Sequence, residues 1–179
     1  MNNLFKDIYF DNFTSLSIED AKEVLEWRNH ELVRKQMFTS DTITFENHLR
    51  FIESLKQSNR KLYLRVRWKN DSIGVIDYYD VEDETAFWGL YLNPKFIGSA
   101  WGVYLEFIAI EYAFCALNLK ELQCETLESN EAVLKIHSFF NFSTINVQNK
   151  IVIMKIDKKT WNDNKHKISP LIKILKQNE

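Results

Sequence analysis

A short glycine-containing segment, which follows a predicted strand and opens a predicted helix, is the first place where this chain could do chemistry. It reads Pro94-Lys95-Phe96-Ile97-Gly98-Ser99-Ala100-Trp101-Gly102-Val103 and holds two of the four glycines of the sequence. A loop of small residues before a helix presents free backbone N–H groups and the positive end of the helix dipole, which suits phosphate. A strand-to-helix turn also uses glycine simply to turn, so the segment predicts either a phosphate site or an ordinary turn.

Hydrophobic periodicity predicts the elements that would position this segment. Strands are predicted at 8–13, 62–68, 73–79, 86–92, 122–127 and 151–156. Helices are predicted at 18–29, from Thr44 to about residue 55, at 103–117 and at 130–139, with Ser17 and Thr44 as capping residues. The apolar repeat from Leu105 to Ala116 predicts an amphipathic third helix with one apolar face. The order of elements predicts an α+β fold with a mixed, mostly antiparallel central sheet flanked by helices on both faces.

The chain is long enough for one domain with its own core. We assign residues 1–157 to this domain and residues 158–179 to a C-terminal tail. An apolar patch in the tail, formed by Ile168, Leu171, Ile172 and Leu175, predicts a docking helix. A loosely held, solvated tail explains the same pattern equally well.

Composition and charge exclude several classes of protein. The chain is 45% hydrophobic and 27% charged, as in an ordinary soluble globular protein. Its formal net charge of −2 provides no basic field, so we expect neither a nucleic-acid nor a membrane partner. Cys115 and Cys124 are expected to be two buried thiols, since no metal spacing or disulfide framework is present. Without a signal-like segment or an apolar run of spanning length, the sequence predicts a cytoplasmic protein.

The order of elements and the glycine segment together resemble the GCN5-related N-acetyltransferases (GNAT). Members of this family carry a pyrophosphate-binding loop, Gln/Arg-x-x-Gly-x-Gly/Ala, between the fourth strand and a long helix. Residues 95–100 and residues 97–102 both fit this pattern with departures, and the second register joins more naturally to the helix. Asn130 stands where the family has an asparagine after its fifth strand, and His137 stands where it has a tyrosine.

Five further segments resemble one bacterial branch of this family. They are Trp27-Arg28-Asn29-His30, Met37-Phe38, His48-Leu49-Arg50-Phe51-Ile52, Gly74-Val75-Ile76-Asp77 and Gly89-Leu90-Tyr91. Members of the branch acetylate the 4-amino group of a UDP-linked 4-amino-4,6-dideoxy sugar on the way to pseudaminic acid, and the resemblance runs from residue 24 to residue 142. A related branch acts on the stereoisomeric sugar on the way to legionaminic acid, so the stereochemistry of the acceptor stays open.

The resemblance implies acetyl-CoA as the acetyl donor and a set of residues that would bind it. The backbone of Leu90, Tyr91 and Leu92 would pair with the pantetheine arm as if the arm were an added strand. Asn130 would contact the same arm, although a helix cap is the alternative role for its side chain. The pyrophosphate would be held by amides of the glycine segment, namely those of Ile97, Gly98, Ser99, Ala100, Trp101 and Gly102.

Acyl transfer from a thioester to an amine needs an unprotonated nucleophile and a proton for the departing thiolate. By resemblance, His137 would supply that proton in place of the family tyrosine, with a structural histidine as the alternative. Glu125 is our candidate for the general base, and Asp77 is a second carboxylate that could face the acceptor amine. Either carboxylate could instead be a solvent-facing strand residue.

The UDP-sugar would be bound by residues of the N-terminal half. Arg28 and His48 could donate to phosphate or uridine oxygens. Phe51 shares a helix face with His48 and could stack on the acceptor, and Met37 and Phe38 would add apolar walls. A homodimer is compatible with family habit.

Two other functions are also open. One is acetylation of a protein N-terminal amine, as in the ribosomal-protein branch of the same superfamily. The other is a non-catalytic domain that binds acetyl-CoA or a nucleotide, since the glycine loop departs from the family pattern and the tyrosine position holds a histidine.

Overall fold

Seven strands form one sheet in the computed structural model, which describes residues 5–177 and their side chains except those of Leu171 and residues 173–177. The strands are β1 (Ile8–Asn12), β2 (Leu62–Trp68), β3 (Asp71–Glu82), β4 (Thr85–Leu92), β5 (Glu121–Leu127), β6 (Ser143–Gln148) and β7 (Ile151–Asp157). Their order across the sheet is β1-β2-β3-β4-β5-β7-β6. Every neighbouring pair is antiparallel except β4 and β5, which are parallel.

The helices within the described residues are α1 (Ile18–Asn29), α2 (Glu31–Arg34), α3 (Phe45–Lys56), α4 (Trp101–Cys115), α5 (Glu131–Phe139) and α6 (Lys158–Gln177). The capping predictions for α1 and α3 are confirmed. Ser17 Oγ accepts a hydrogen bond from the amide of Asp20, and Thr44 Oγ1 accepts one from the amide of Asn47.

Helices cover both faces of the sheet, so the predicted fold class is confirmed. On one face, buried residues of α1 and α3, including Val24 and Ile52, pack on Val75 of β3. On the other face, α4 packs over β3 and β4 and α6 packs over β7, with Leu105, Ile108 and Trp161 fully buried.

The prediction of an amphipathic third helix is wrong. α4 is buried on most sides, because α6 and α5 also pack against it: Phe107 contacts Trp161 of α6, and Glu106 contacts His137 of α5. Glu106, Phe107 and Ile110 are therefore buried off the predicted apolar face, whereas Ala116, which was placed on that face, is exposed.

The tail folds as α6 and contributes to the main core. Trp161 and Ile172 are fully buried and Ile168 is almost so. Trp161 packs on Phe107 of α4, and its indole N–H donates to the carboxylate of Glu111. Leu171 and Leu175, the other two residues of the predicted apolar patch, lie outside the described side chains.

Two elements and one cysteine differ from the sequence analysis. The strand β6 was not predicted, and neither was the single turn α2. Cys124 is buried as predicted, but Cys115 is exposed at the end of α4, so the prediction of two buried thiols is wrong for Cys115. Among residues 5–177, no helix combines the length and the hydropathy that a bilayer span requires.

Candidate active site

A cleft opens where the parallel strands β4 and β5 diverge. Backbone pairing joins Thr85–Phe87 of β4 to Glu121–Gln123 of β5. Beyond these residues β4 continues along β3 and β5 continues along β7, so each strand presents an unpaired edge to the cleft. The predicted residues Leu90, Tyr91 and Leu92 lie on the β4 edge, where an extended chain could pair with their backbone.

The glycine segment joins the end of β4 to the N-terminus of α4. Gly98 has φ +86°, a left-handed conformation that favours glycine. The amide of Trp101 donates to Ser99 Oγ at 3.1 Å, while the amide of Gly102 has no hydrogen-bond partner among the described residues. Open amides at the positive end of a helix dipole suit an anionic group. The predicted pyrophosphate residues all lie in this loop or in the first turn of α4: Ile97, Gly98, Ser99, Ala100, Trp101 and Gly102. The amides of Ile97 and Ser99 are already bonded within the loop, since they donate to the carbonyls of Pro94 and Phe96.

Asn130 precedes α5, directly after β5. Its side chain makes no capping hydrogen bond to the helix, and it is half-buried. The helix-cap alternative for this residue is therefore not realised, and its amide group is available to a ligand in the neighbouring cleft.

His137 is buried on α5 and bonded through both ring nitrogens. Nδ1 lies 2.7 Å from Glu106 Oε1 of α4, and Nε2 lies 3.2 Å from Thr126 Oγ1 of β5. The Trp88 ring of β4 packs edge-on against the imidazole at 5.7 Å. Burial by itself would lower the pKa of His137, but the Glu106 carboxylate and Cys124 together outweigh it and raise that pKa to about 10.

Asp77 of β3 faces the opposite side of the sheet from His137. Burial raises the pKa of its carboxyl to about 7. A Cβ at Gly89 of β4 would lie 3.3 Å from Asp77 Oδ2, so the missing side chain of Gly89 lets the carboxyl lie over β4 beside the cleft. Burial followed by the charge of Asp77 raises the pKa values of Tyr63 and Tyr91, which places both phenols in the surroundings of this carboxyl.

Arg28 brings a positive charge to the phenols of Tyr63 and Tyr91. Burial, and then the nearby Arg34, lowers the pKa of its guanidinium, which also interacts with the phenols of Tyr63 and Tyr91. Its Nη2 donates to the carbonyl of Thr39 at 3.2 Å, whereas its Nη1 is buried and has no hydrogen-bond partner among the described residues. An unpaired buried donor costs about 1–3 kcal/mol, so Nη1 is suited to an anionic ligand.

The loop after α2 carries the predicted apolar walls. Asn29 holds this loop, since its side-chain amide exchanges two hydrogen bonds of 2.8 Å with the backbone of Ile43. Met37 is half-buried and Phe38 is 54% exposed, so Phe38 is open to a ligand or to solvent.

Glu125, the first candidate for the general base, lies on β5 and is half-buried. Its Oε2 accepts a hydrogen bond from the hydroxyl of Tyr79 at 3.4 Å, and Tyr79 stacks on Phe87. Of the two carboxylates, Asp77 has the environment that a base near neutral pH needs.

Of the two predicted acceptor residues on α3, the structure brings only Phe51 toward Asp77. Phe51 packs edge-on against Tyr63 at 4.9 Å. His48 is 5% exposed and packs against Phe13, and burial lowers the pKa of its ring. Its Nε2 is buried and has no hydrogen-bond partner in the part of the chain that the structure describes. His48 therefore lies in the core beside Phe13 rather than beside the other acceptor residues.

A cavity of about 400 Å³ lies beside the cluster of Asp77, Phe51 and Tyr63, and Tyr63 also lines this cavity. None of the predicted site residues lines it. Its other walls include Asn12, Lys56 and Lys61.

Several residues of the site were missed by the sequence analysis: Glu106, Thr126, Tyr63 and Tyr79. Glu106 carried a signal, because an acidic residue inside a largely apolar helix must find a partner. The other three are ordinary strand residues, and only the sheet register brings them to the site.

Comparisons with known proteins identify the fold and the chemistry. Residues 12–142 match a family model described as acetyltransferase (GNAT) domain. Acetyltransferase PseH of Campylobacter jejuni is 33% identical over 136 residues, which are 76% of this chain and 85% of that protein. The crystal structure of Campylobacter jejuni N-acetyltransferase PseH in complex with acetyl coenzyme A has a TM-score of 0.72 at 26% identity and covers 84% of this chain and 99% of that chain. Spermidine N-acetyltransferase from Vibrio cholerae, in complex with CoA and spermine, has a TM-score of 0.78 at 14% identity, covers 88% of this chain and 99% of that chain, and is alike in fold alone.

The chain therefore belongs to the GNAT family of acetyltransferases. It is an N-acetyltransferase, and acetyl-CoA is its acetyl donor, as the sequence predicted. The unpaired edge of β4 and the open amide at the start of α4 fit a donor that carries an extended amide arm and a pyrophosphate.

Proposed function

We propose that this enzyme transfers the acetyl group of acetyl-CoA to the 4-amino group of a UDP-linked 4-amino-4,6-dideoxy-N-acetylhexosamine. The product would enter the biosynthesis of a nonulosonic acid, pseudaminic or legionaminic acid. The observation that carries the proposal is the 33% identity to acetyltransferase PseH over three quarters of this chain. A structure described as a nucleotide-linked sugar GNAT shares the fold, with a TM-score of 0.75 at 16% identity over 91% of this chain and 93% of that chain.

The donor is expected to lie in the cleft between β4 and β5. Its pantetheine arm would pair with the backbone of Leu90–Leu92, and the amide of Asn130 would bond to the same arm. Its pyrophosphate would be bound by amides of the glycine segment. These contacts hold the thioester in place, and most of the rate gain in acyl transfer comes from such positioning.

The acceptor is expected on the face of the sheet that carries Asp77. A carboxylate with a pKa near 7 can take a proton from an ammonium group and leave an amine able to attack. We therefore assign the general base to Asp77 in preference to Glu125. The open Nη1 of Arg28 would pair with a diphosphate oxygen, and Phe51 would offer an aromatic surface to the acceptor.

The substitution Arg28→Ala tests the nucleotide part of the proposal. We expect the KM for the UDP-amino sugar to rise at least tenfold, while the Kd for acetyl-CoA changes by less than twofold. The matched control is Arg34→Ala, a neighbouring arginine whose guanidinium is committed to backbone carbonyls of Asn29 and Ser40. Equal weakening of both ligands by Arg28→Ala would show that Arg28 only supports the fold.

A further inference from the structure

Three buried polar side chains are linked by hydrogen bonds in a row that ends beside the cleft. Glu106 of α4, His137 of α5 and Thr126 of β5 are 2%, 4% and 6% exposed. Thr126 belongs to the part of β5 that has left β4, and Trp88 of β4 packs on the His137 ring from the other side. The His137 ring thus lies between Trp88 of β4 and Thr126 of β5, the two strands that border the cleft. A buried ion pair is a weak source of stability, so packing alone does not explain it.

The hydrogen bonds that join these three side chains have a defined direction when the His137 imidazole is protonated. A carboxylate only accepts, so His137 Nδ1–H donates to Glu106 at 2.7 Å. Nε2–H then donates to Thr126 Oγ1 at 3.2 Å. The hydroxyl hydrogen of Thr126 is left without an acceptor among the described residues, and it is free to be donated to a ligand in the cleft.

The surroundings of His137 favour the protonated ring. The charged or titratable groups that face it are Glu106 of α4 and Cys124 of β5, and Trp88 and Phe142 supply apolar contacts. Glu106 and Cys124 both raise the pKa of the ring. At pH 7 the ring therefore holds a proton.

We propose that the Thr126 hydroxyl passes a proton from His137 to the thiolate that leaves acetyl-CoA, and that Glu106 is a positioning residue that keeps His137 charged. The inference rests on the acetyl-transfer function proposed above. As the carbon–sulfur bond breaks, the sulfur keeps the bonding electron pair and takes the Thr126 hydroxyl proton. The Nε2 proton moves to Thr126 Oγ1, so the threonine is unchanged and His137 ends neutral. A proton from solvent restores it before the next turnover.

This arrangement differs from the direct donation by His137 that the sequence analysis predicted. Both ring nitrogens are engaged and the ring is buried, so its proton has to leave through a neighbouring side chain. A proton given to Glu106 would stay in the core, because that side chain is 2% exposed, whereas Thr126 lies on the part of β5 that borders the cleft. A histidine side chain is shorter than a tyrosine side chain, and the Thr126 hydroxyl would span the remaining distance to the sulfur.

Thr126→Val is the direct test, because valine keeps the shape of threonine and removes only the hydroxyl. We expect kcat to fall at least tenfold while the Kd for acetyl-CoA and the unfolding temperature stay close to wild type. Thr126→Ser, which keeps the hydroxyl, is the matched control and should retain most of the activity. A Thr126→Val enzyme with wild-type kcat would overturn the proposal.

Glu106→Gln tests the positioning role, with the protonation of the His137 ring followed by ¹⁵N NMR. In the wild-type protein the ring should stay protonated to a pH near 10. In Glu106→Gln, burial without the carboxylate should bring its titration, and the alkaline limb of kcat, well below that pH. An unmoved titration would overturn the role of Glu106, and if Glu106→Gln does not fold, the Thr126 pair decides alone.

The relay acts on the leaving thiolate, so its test does not depend on which acceptor is used. If the UDP-amino sugar is not acetylated, the acceptor part of the proposed function fails. The Thr126 comparison then uses the amine that the wild-type enzyme acetylates best. Loss of activity in Thr126→Val but not in Thr126→Ser would support the relay with any such amine.

Discussion

Replacing Asp77 with asparagine should make the protein more stable and much less active. The carboxyl has an ordinary pKa of 3.8, which burial raises to about 7 in the folded protein. Between these values the folded protein holds a proton that the unfolded chain has released. The stability contributed by the protonated form is therefore complete below pH 3.8 and is lost as the pH rises to about 7.

The size of both effects follows from that difference in pKa. Above pH 7 the ionised carboxylate lowers the free energy of unfolding by an amount on the order of 4 kcal/mol, which an asparagine would not do. For catalysis, the base is about one-tenth ionised at pH 6, half at pH 7 and about nine-tenths at pH 8. Loss of a general base lowers the rate by roughly 10²- to 10⁴-fold.

The assay has two parts, urea unfolding at pH 8 and thiol release from acetyl-CoA between pH 5.5 and 9. Wild-type kcat/KM should rise with pH through a midpoint near 7, and Asp77→Asn should lose both the rate and that midpoint while unfolding at higher urea. Glu125→Gln is the matched control and should keep the midpoint. If Asp77→Asn keeps the midpoint, or if only Glu125→Gln removes it, the assignment of the base to Asp77 is refuted.

Three further predictions concern the donor site and the core. Gly98→Ala should weaken acetyl-CoA binding about tenfold, because a left-handed φ costs a side chain roughly 1–2 kcal/mol. Gly102→Ala should bind as wild type by calorimetry, because the nearest atom to its added Cβ is 3.8 Å away. Asn130→Ala should raise the Kd for acetyl-CoA yet leave the unfolding temperature unchanged, and a lower unfolding temperature would reveal a capping role. Burial lowers the pKa of His48, so the unfolded chain binds its proton first and the contribution of His48 to stability should fall as the pH drops below about 6.5. The urea midpoint of His48→Leu should therefore rise relative to that of wild type between pH 7.5 and pH 5.5, and a constant difference would exclude this contribution.

Local signals were sufficient for most of the fold. Ser17 and Thr44 begin helices because their side chains replace missing backbone partners, and this can be seen in the sequence. The strand β6 was missed because its signal is weak: only Ile145 and Val147 of its six residues are apolar, and all six are exposed in the structure. A further signal is the turn that follows, where Asn149 and Lys150 both have positive φ, as in a tight hairpin.

The site was harder to predict, since its chemistry depends on contacts between distant elements. Asp77 was found as a candidate, but its raised pKa comes from burial on the folded sheet. His137 was found through its spacing from Asn130, while its partners Glu106 and Thr126 belong to other elements. His48 shows the opposite error, because a histidine with a plausible role in binding packs into the core instead.

The central claim is acetyl transfer to a UDP-linked amino sugar, and acceptor selectivity tests it most directly. Thiol release from acetyl-CoA would be followed with UDP-4-amino-4,6-dideoxy sugars of both stereochemical series and with a peptide amine, and the products would be weighed by mass spectrometry. We predict fast turnover with one of the two sugars, a product heavier by one acetyl group, and little turnover with the peptide. Acetylation of the peptide with neither sugar consumed would contradict the account.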